Sequence, residues 1–276
     1  MKTNQFGRRN SAYVSGILAF SAAAVALPGS LSAALSVYEP FNYTAATTLA
    51  TQNGGTGFSG AWSAVTGSST VSSPSLSYAS LTTVGNRATT AAATATTQNR
   101  GLSASLGGVT GTTFISFLLR PDAATSAANA EFGLLGSVNS LFIGKAASGN
   151  TSNYLLDTLS TGGTQNASST AFANGTAVLM VLRADFVSGG GGDTFKLFVN
   201  PNGSTEPGSA DATKSAYDVG SISTIQFTGN LGFSIDELKI GSSYADVVPE
   251  PSTYAAGIAV AGIVGMTWHR RRKAAK

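Results

Sequence analysis

Short segments rich in aromatic and β-branched residues, each closed by a turn sequence, constrain the fold of this chain most strongly. Residues 112–120 read Thr-Thr-Phe-Ile-Ser-Phe-Leu-Leu-Arg and end at Pro121. Residues 177–186 form a second apolar run, and residues 193–199 alternate apolar and polar side chains. A run of glycines at 189–192 stands between the last two segments. Two strand-like runs joined by a glycine-rich turn predict a β-hairpin.

Further strand candidates follow the same pattern at roughly regular spacing. They are residues 35–41, 130–135, 141–143, 154–159, 225–227 and 233–240. Residues 88–97 are a low-complexity Ala/Thr segment, for which an edge strand or a loop is expected. No long helix is indicated between residues 35 and 247. The pattern therefore favours an all-β sandwich or jelly roll over a disordered Ser/Thr-rich stalk.

The chain ends in a Pro-Glu-Pro motif, an apolar run and a basic cluster. These are Pro249, Glu250 and Pro251, then residues 253–268, then Trp268 followed by Arg270, Arg271, Arg272 and Lys273. A helix over the 16 residues 253–268 is about 24 Å long, short of the roughly 30 Å hydrocarbon core. Trp268 at the interface and snorkelling basic side chains extend its reach, with the basic end on the cytoplasmic side. The alternative is a buried helix of a soluble domain, but such a helix normally has a polar face.

The N-terminal 34 residues have the three parts of a secretory signal peptide. Lys2, Arg8 and Arg9 form a positive region, residues 13–27 are apolar and small, and a small-residue site follows. We expect cleavage between Ala34 and Leu35. A retained N-terminal anchor is the alternative.

Removing the two terminal segments reverses the charge of the chain. The whole chain carries +3, whereas residues 35–248 contain eight Lys and Arg and twelve Asp and Glu, a net charge near −4. The domain therefore has no basic excess for nucleic-acid binding. The chain has no cysteine, which excludes disulfides, zinc thiolates and a cysteine nucleophile. Its single histidine, His269, lies in the C-terminal tail, so the domain cannot hold a histidine-based triad or metal site.

The order and spacing of the C-terminal parts resemble the PEP-CTERM protein-sorting domain of Gram-negative bacteria. The resemblance covers residues 248–273. It implies recognition by an exosortase, a membrane cysteine peptidase, with cleavage near Pro249, Glu250 and Pro251. It also implies transit through the inner membrane to the cell surface, outer envelope or extracellular matrix. The three residues are then a processing motif with no catalytic role.

A second resemblance spans the domain itself. Tyr38-Glu39-Pro40-Phe41, residues 54–62, the paired strands ending at 199–201 and residues 235–241 together resemble a concanavalin A-like or laminin-G-like jelly roll. In that family the first strand often pairs near the last. Its members can hold a structural calcium, for which Asp185, Asp193, Asp211 and Asp218 are available without diagnostic spacing. We expect no other cofactor, and the metal ligands stay open.

Carboxylate spacing argues against an enzyme. Glycosidases need two carboxylates about 5–10 Å apart. Asp236 and Glu237 are neighbours, and neighbours on a regular strand point to opposite faces. Glu131 and Glu206 lack acidic companions at strand spacing. We therefore expect no catalytic residue.

Aromatic rings are the remaining candidates for contact with a ligand. Trp62 is the main candidate for stacking on a sugar ring, although core packing is its commoner fate. The others are Tyr38, Tyr43, Tyr154 and Tyr217.

The sequence thus predicts three parts: a signal peptide over 1–34, a β-sandwich over 35–247 and a sorting segment over 248–273, with its membrane helix at 253–268. The leading functional hypothesis is a non-catalytic cell-surface or extracellular-matrix protein whose partners are an exosortase and the membrane. The alternative is a lectin-like module that binds extracellular polysaccharide, and a hydrolase comes third.

Overall fold

A computed structural model describes residues 35–79, 81–123, 127–160, 162–203 and 205–248. The predicted signal peptide with Ala34, the Pro249–Pro251 motif, the predicted helix at 253–268 and the basic cluster with Trp268 lie outside these residues. Within the described residues, no helix is both long and apolar enough to cross a membrane.

The described residues form two antiparallel sheets. The strands are β1 (Val37–Glu39), β2 (Ser63–Thr66), β3 (Ser69–Ser72), β4 (Arg87–Thr90), β5 (Thr96–Gly107), β6 (Gly111–Pro121), β7 (Ala130–Gly136), β8 (Ser140–Lys145), β9 (Asn153–Asp157), β10 (Asn166–Ala171), β11 (Val178–Phe186), β12 (Thr194–Val199), β13 (Ala212–Lys214), β14 (Ser221–Gly229) and β15 (Phe233–Gly241), followed by helix α1 (Tyr244–Val247).

The chain crosses repeatedly between the sheets, as in a jelly roll. One sheet has eight strands in the order β13-β12-β11-β6-β15-β4-β3, with β1 also paired to β15, and the other has seven in the order β10-β9-β8-β7-β14-β5-β2. The predicted hairpin is present, since β11 pairs antiparallel with β12. The first strand pairs with the last, Val37 opposite Ile240. The predicted all-β sandwich is confirmed.

The core lies between the two sheets. Inward side chains of β6 and β11 alternate with outward ones, as the period of a strand requires. Phe117 of β6 meets Phe132 of β7 with ring centroids 4.7 Å apart, which joins the sheets. Complete burial of such a phenylalanine contributes about 1.5–3 kcal/mol.

The sequence pattern missed β5, the longest strand. Its buried positions include Thr96, Gln98 and Arg100, so no apolar alternation marks it. Arg100 forms a buried ion pair with Glu39 and stacks over the ring of Phe58, with its Cζ 3.7 Å from the ring centroid. Because the guanidinium has its own charged and aromatic partners, a charged residue fills a core position without an unpaired charge.

Helix α1 and a second apolar cluster cover the outer face of the eight-stranded sheet. Tyr244, Val247 and Val248 pack there against outward side chains such as Phe114 and Phe198. Ser243 caps the helix in a capping box with Asp246. The Ser116 hydroxyl donates to the carbonyl of Val247 over 2.7 Å. The segment that carries α1 is thereby fixed to the sheet.

A bulge in β15 corrects the expectation for Asp236 and Glu237. Glu237 has φ 50°, and the pairing of β15 with β6 shifts register between Asp236 and Lys239. Ile235 and Leu238 both join the core, three positions apart instead of two. Both carboxylates therefore lie on the outer side of the sheet, because the bulge places one extra residue there.

Candidate functional site

A cleft of about 360 Å³ lies at the end of the seven-stranded sheet, between the β7–β8 hairpin and the segment that follows β9. Its volume is within the range of small-molecule sites. Its lining consists of Gly136, Val138, Asn139, Ser140, Phe142, Thr158, Leu159, Ser160 and Tyr217. Apart from the tyrosine phenol, none of these side chains ionises.

The hairpin side of the cleft depends on two glycines. A Cβ on Gly136 would lie 2.0 Å from the carbonyl oxygen of Val219, so only glycine allows this approach. Phe142 points outward, because its neighbours Leu141 and Ile143 both enter the core. A Cβ on Gly133, directly opposite on β7, would meet the Phe142 ring at 2.8 Å. The missing side chain therefore makes room for this ring at the base of the cleft.

Two buried polar groups hold the opposite wall. Asp157 accepts hydrogen bonds from the backbone N–H groups of Leu159 and Gly163, at 3.2 and 2.7 Å. Asn129 donates to the carbonyl of Ser160 over 2.8 Å and to Glu131 over 3.0 Å. The wall that carries Thr158, Leu159 and Ser160 thus depends on side chains beneath it.

Tyr217 closes the end of the cleft. Its hydroxyl donates to the carbonyl of Ser140 over 2.7 Å, and the Lys214 ammonium nitrogen lies 4.7 Å from its ring centroid. Burial, and then the charge of Asp157, raises the pKa of the Tyr217 phenol. The phenol therefore stays neutral at physiological pH, and the cleft has no charged lining.

The cleft offers hydroxyl, amide and backbone groups beside apolar surface. Val138 and Leu159 form apolar rims with exposed fractions of 59 and 57 %. Such a lining suits an uncharged molecule that has both hydroxyl groups and apolar faces. Among the aromatic residues predicted for ligand contact, Tyr217 lines this cleft. Phe142 was not predicted, because the pattern at 141–143 indicates a strand and nothing more.

Trp62 is not a sugar-stacking residue in this structure. It is 2 % exposed and belongs to the core, where its ring lies 4.8 Å from that of Phe227. Its indole N–H donates to Glu39 over 3.0 Å. Because both the ring and the N–H are occupied inside the domain, Trp62 presents no face to a ligand. Tyr154 is also fully buried.

Asp236 and Glu237 are both buried and fully hydrogen-bonded. Asp236 accepts from the Ser75 hydroxyl, the Leu76 N–H and the Glu237 N–H, and burial raises its pKa to about 7. Glu237 accepts from the Tyr38 hydroxyl and the Val84 N–H and pairs with Lys239. Every oxygen of the two groups has a donor, so the two carboxylates hold Ser75, Leu76 and Val84 on the sheet.

The remaining acidic candidates are also engaged in structure. Glu131 is buried, which raises its pKa to about 9. Glu206 forms an ion pair with Arg183 on the surface.

The four aspartates considered for calcium serve separate loops and strands. Asp193 accepts from the N–H groups of Val187 and Val219, at 2.9 and 3.0 Å. Asp211 accepts from the Val199 N–H, Asp218 from the Gly220 N–H, and Asp185 pairs with Arg183. Nowhere in the described part of the chain do three acidic or histidine side chains converge as metal ligands.

Comparisons with known proteins concern the fold alone. No protein-family model matches the chain. No curated protein matches its sequence. The galectin LEC-6 of Caenorhabditis elegans is 16 % identical, with a TM-score of 0.35, over 52 % of this chain and 89 % of that one.

Two further solved structures give similar values. The carbohydrate recognition domain of Emp46p, in its potassium-bound form, is 9 % identical with a TM-score of 0.41, over 59 % of this chain and 85 % of that one. The carbohydrate-binding module CBM66 from Bacillus subtilis is 11 % identical with a TM-score of 0.39, over 66 % and 95 %. At this distance we transfer neither ligand nor site from them.

Proposed function

We propose that the chain is an exported, non-catalytic cell-surface or extracellular-matrix protein that an exosortase sorts through its C-terminal segment. The C-terminal sequence supports this proposal, because Pro249, Glu250 and Pro251 precede the apolar run at 253–268 and the basic cluster at 270–273. The described residues before this segment form a β-sandwich, to whose eight-stranded sheet Val247 and Val248 are packed.

The sorting proposal is tested by the mature termini of the exported protein. We expect intact mass spectrometry to show a chain that begins at Leu35 and has lost its basic C-terminal end. Replacing Pro249, Glu250 and Pro251 together by alanine should leave that end attached and retain the protein in the inner membrane. Pro207→Ala, a proline change outside the motif, should be processed normally. Full-length, uncut protein in the cytosol would contradict the proposal.

We further propose that the cleft beside the β7–β8 hairpin binds an uncharged extracellular polysaccharide. Its neutral lining and its aromatic base of Phe142 and Tyr217 support this function. Sugar rings combine apolar faces, which stack on aromatic or aliphatic side chains, with hydroxyl groups that bond to amides and backbone carbonyls.

Affinity electrophoresis in gels containing neutral polysaccharides, beginning with dextran and soluble β-glucan, measures this binding. We expect retardation of the wild-type domain in at least one such gel. Leu159→Ser removes an apolar rim and should weaken the binding several-fold. Val65→Ser is the matched control, because Val65 is equally exposed at 60 % but lies on β2, at the far edge of the same sheet. Equal retardation of both variants, or none for any neutral polymer, would contradict the assignment.

A further inference from the structure

A row of polar side chains crosses the outer face of the eight-stranded sheet, on the other side of the sandwich from the cleft. Strand pairing places Thr70 opposite Thr89, Thr89 opposite Ser234, and Ser234 opposite Arg120. The adjacent residues Val71, Ala88 and Ile235 enter the core. The row therefore points outward, because side chains alternate between faces along each strand.

Two guanidinium groups converge on one oxygen atom of this row. Arg87 Nε lies 3.2 Å and Arg120 Nη2 lies 3.5 Å from Ser234 Oγ. The two arginines thus lie side by side, on β4 and β6, with β15 between them. Burial, followed by the charge of Arg120, lowers the pKa of Arg87, as expected for neighbouring cations. We refer to Arg87 and Arg120 as the arginine pair.

Ser234 cannot satisfy all the donors that surround it. A hydroxyl group donates one hydrogen bond and accepts two. Ser234 Oγ donates to Asp122 Oδ2 over 2.6 Å, so Thr89, 3.1 Å away, must act as a donor to it. Arg87 Nε, Arg120 Nη2 and Thr89 then share two lone pairs, and the contact at 3.5 Å is the weakest. Ser234 Oγ therefore has more donors around it than it can accept. Of the other guanidinium nitrogens, Arg87 Nη1 donates to the Pro74 carbonyl and Arg120 Nε to Asp122.

Two carboxylates, those of Asp122 and Asp236, lie near the arginine pair, and the charge of each acts on Arg87. Asp122 binds Arg120 Nε over 2.6 Å. The oxygens of Asp236 accept instead from Ser75, Leu76 and Glu237. The side chains of Arg120 and Asp122 are 27 and 23 % exposed, so solvent reaches the site.

We propose that the arginine pair binds the carboxylate of an acidic sugar, such as a uronic-acid residue of a polysaccharide. Ser234 is 0 % exposed and does not touch the sugar; its hydroxyl positions the two guanidinium groups. A carboxylate supplies the acceptors that the crowded donors lack, and guanidinium groups hold carboxylates with geometric specificity. Thr70 is exposed and lies at the end of the row, within the same strand pairing, where it meets the sugar hydroxyls. This site is separate from the neutral cleft and does not depend on it.

Affinity electrophoresis in gels containing polygalacturonate tests the proposal. We expect Arg120→Gln and Arg87→Gln to weaken binding at least tenfold. Asp122→Asn should tighten it several-fold, because this change removes the carboxylate that competes for Arg120. Lys196→Gln is the matched control: it removes one positive charge from β12 of the same sheet, four strands away from β4. It should bind as the wild-type domain does.

Further measurements distinguish binding at the arginine pair from a loss of fold, from binding at the cleft and from a general attraction of anions. Thermal melting of each variant identifies any variant that has lost its fold. If Arg87→Gln is unfolded, Asp122→Asn still tests the proposal. Leu159→Ser, which alters the neutral cleft, should bind polygalacturonate normally even if the cleft has no ligand. Unchanged binding in Asp122→Asn, or equal weakening by Lys196→Gln and Arg120→Gln, would overturn the proposal. Dextran sulfate shows whether the pair also accepts sulfate: stronger retardation there than in polygalacturonate would contradict a carboxylate site.

Discussion

The carboxyl group of Glu131 makes the domain less stable as the pH rises, and Glu131→Gln should remove that loss. Glu131 is completely buried, and Asn129 donates to one of its oxygens, while the other has no partner. Burial raises its pKa from 4.5 to about 9, although the bond from Asn129 and the charge of Lys145 act in the opposite direction. The folded protein thus keeps this proton over a pH range in which the unfolded chain loses it.

The size of the effect follows from proton linkage. Between the two pKa values the folded state holds one more proton than the unfolded state, so the free energy of unfolding falls by about 1.4 kcal/mol per pH unit. From pH 4.5 to 7.5 this loss approaches about 4 kcal/mol for this one group. Glutamine has nearly the same shape and no charge, so the variant should gain that amount over the wild type across the same range.

Urea unfolding, followed by tryptophan fluorescence at several pH values from 4.5 to 7.5, measures the difference. Asn129→Ala is the informative control, because it removes a bond to the same carboxylate without removing the titrating group. Its stability should still fall with pH, whereas that of Glu131→Gln should fall less than the wild type's. Parallel curves for Glu131→Gln and the wild type would show that the group ionises in the folded state, and the burial argument would fail.

Three further predictions concern the packing. Glu39→Gln leaves the buried Arg100 without its charged partner and should cost about 3–5 kcal/mol in urea unfolding. The double change with Arg100→Met should cost less than the sum of the single changes, and strict additivity would refute the coupling. Gly136→Ala should lower the free energy of unfolding by more than about 2 kcal/mol, because its Cβ would lie 2.0 Å from the Val219 carbonyl oxygen. Gly111 has open space around it, so Gly111→Ala should change the free energy of unfolding by less than about 0.5 kcal/mol. Ser116→Ala should lower the free energy of unfolding by about 1 kcal/mol and speed hydrogen exchange at the Val248 amide. The control Ser103→Ala, at an exposed position, should do neither. Equal exchange in the two variants would show that the bond from Ser116 to the Val247 carbonyl does not hold the helix on the sheet.

The strands that could be predicted are those whose inward side chains are apolar. Residues 112–120 and 177–186 became β6 and β11, which lie next to each other in the middle of a sheet. By contrast, β5 places Gln98 and Arg100 in the interior, where their partners come from distant parts of the chain. Arg100 pairs with Glu39, and the Gln98 amide nitrogen donates to the Gly67 carbonyl over 3.5 Å, while its amide oxygen has no partner. Periodicity cannot show such partners, because they come from segments up to 61 residues away.

Irregular backbone limited the prediction in the same way. The bulge at Glu237 places its carboxylate on the same face of the sheet as that of Asp236, and the sequence Ile-Asp-Glu-Leu does not indicate the extra residue. The Glu237 carboxylate accepts hydrogen bonds from the Tyr38 hydroxyl of β1 and from the backbone N–H of Val84.

Neither the cleft nor the arginine pair could be predicted from the sequence. The cleft combines a hairpin, a loop after β9 and Tyr217, which lies about 60 residues further on. The arginine pair comes from strands that are adjacent only through β15. Both follow from strand order, which the local pattern does not determine.

The pairing of β1 with β15 brings the two ends of the domain together on one side of the sandwich. Leu35 packs into the same apolar cluster as Val247 and Val248, on the outer face of the eight-stranded sheet. If the C-terminal segment holds the domain at a surface, as proposed above, the outer face of the eight-stranded sheet would lie nearer that surface. The seven-stranded sheet, with the cleft beside the β7–β8 hairpin, would then face away from it.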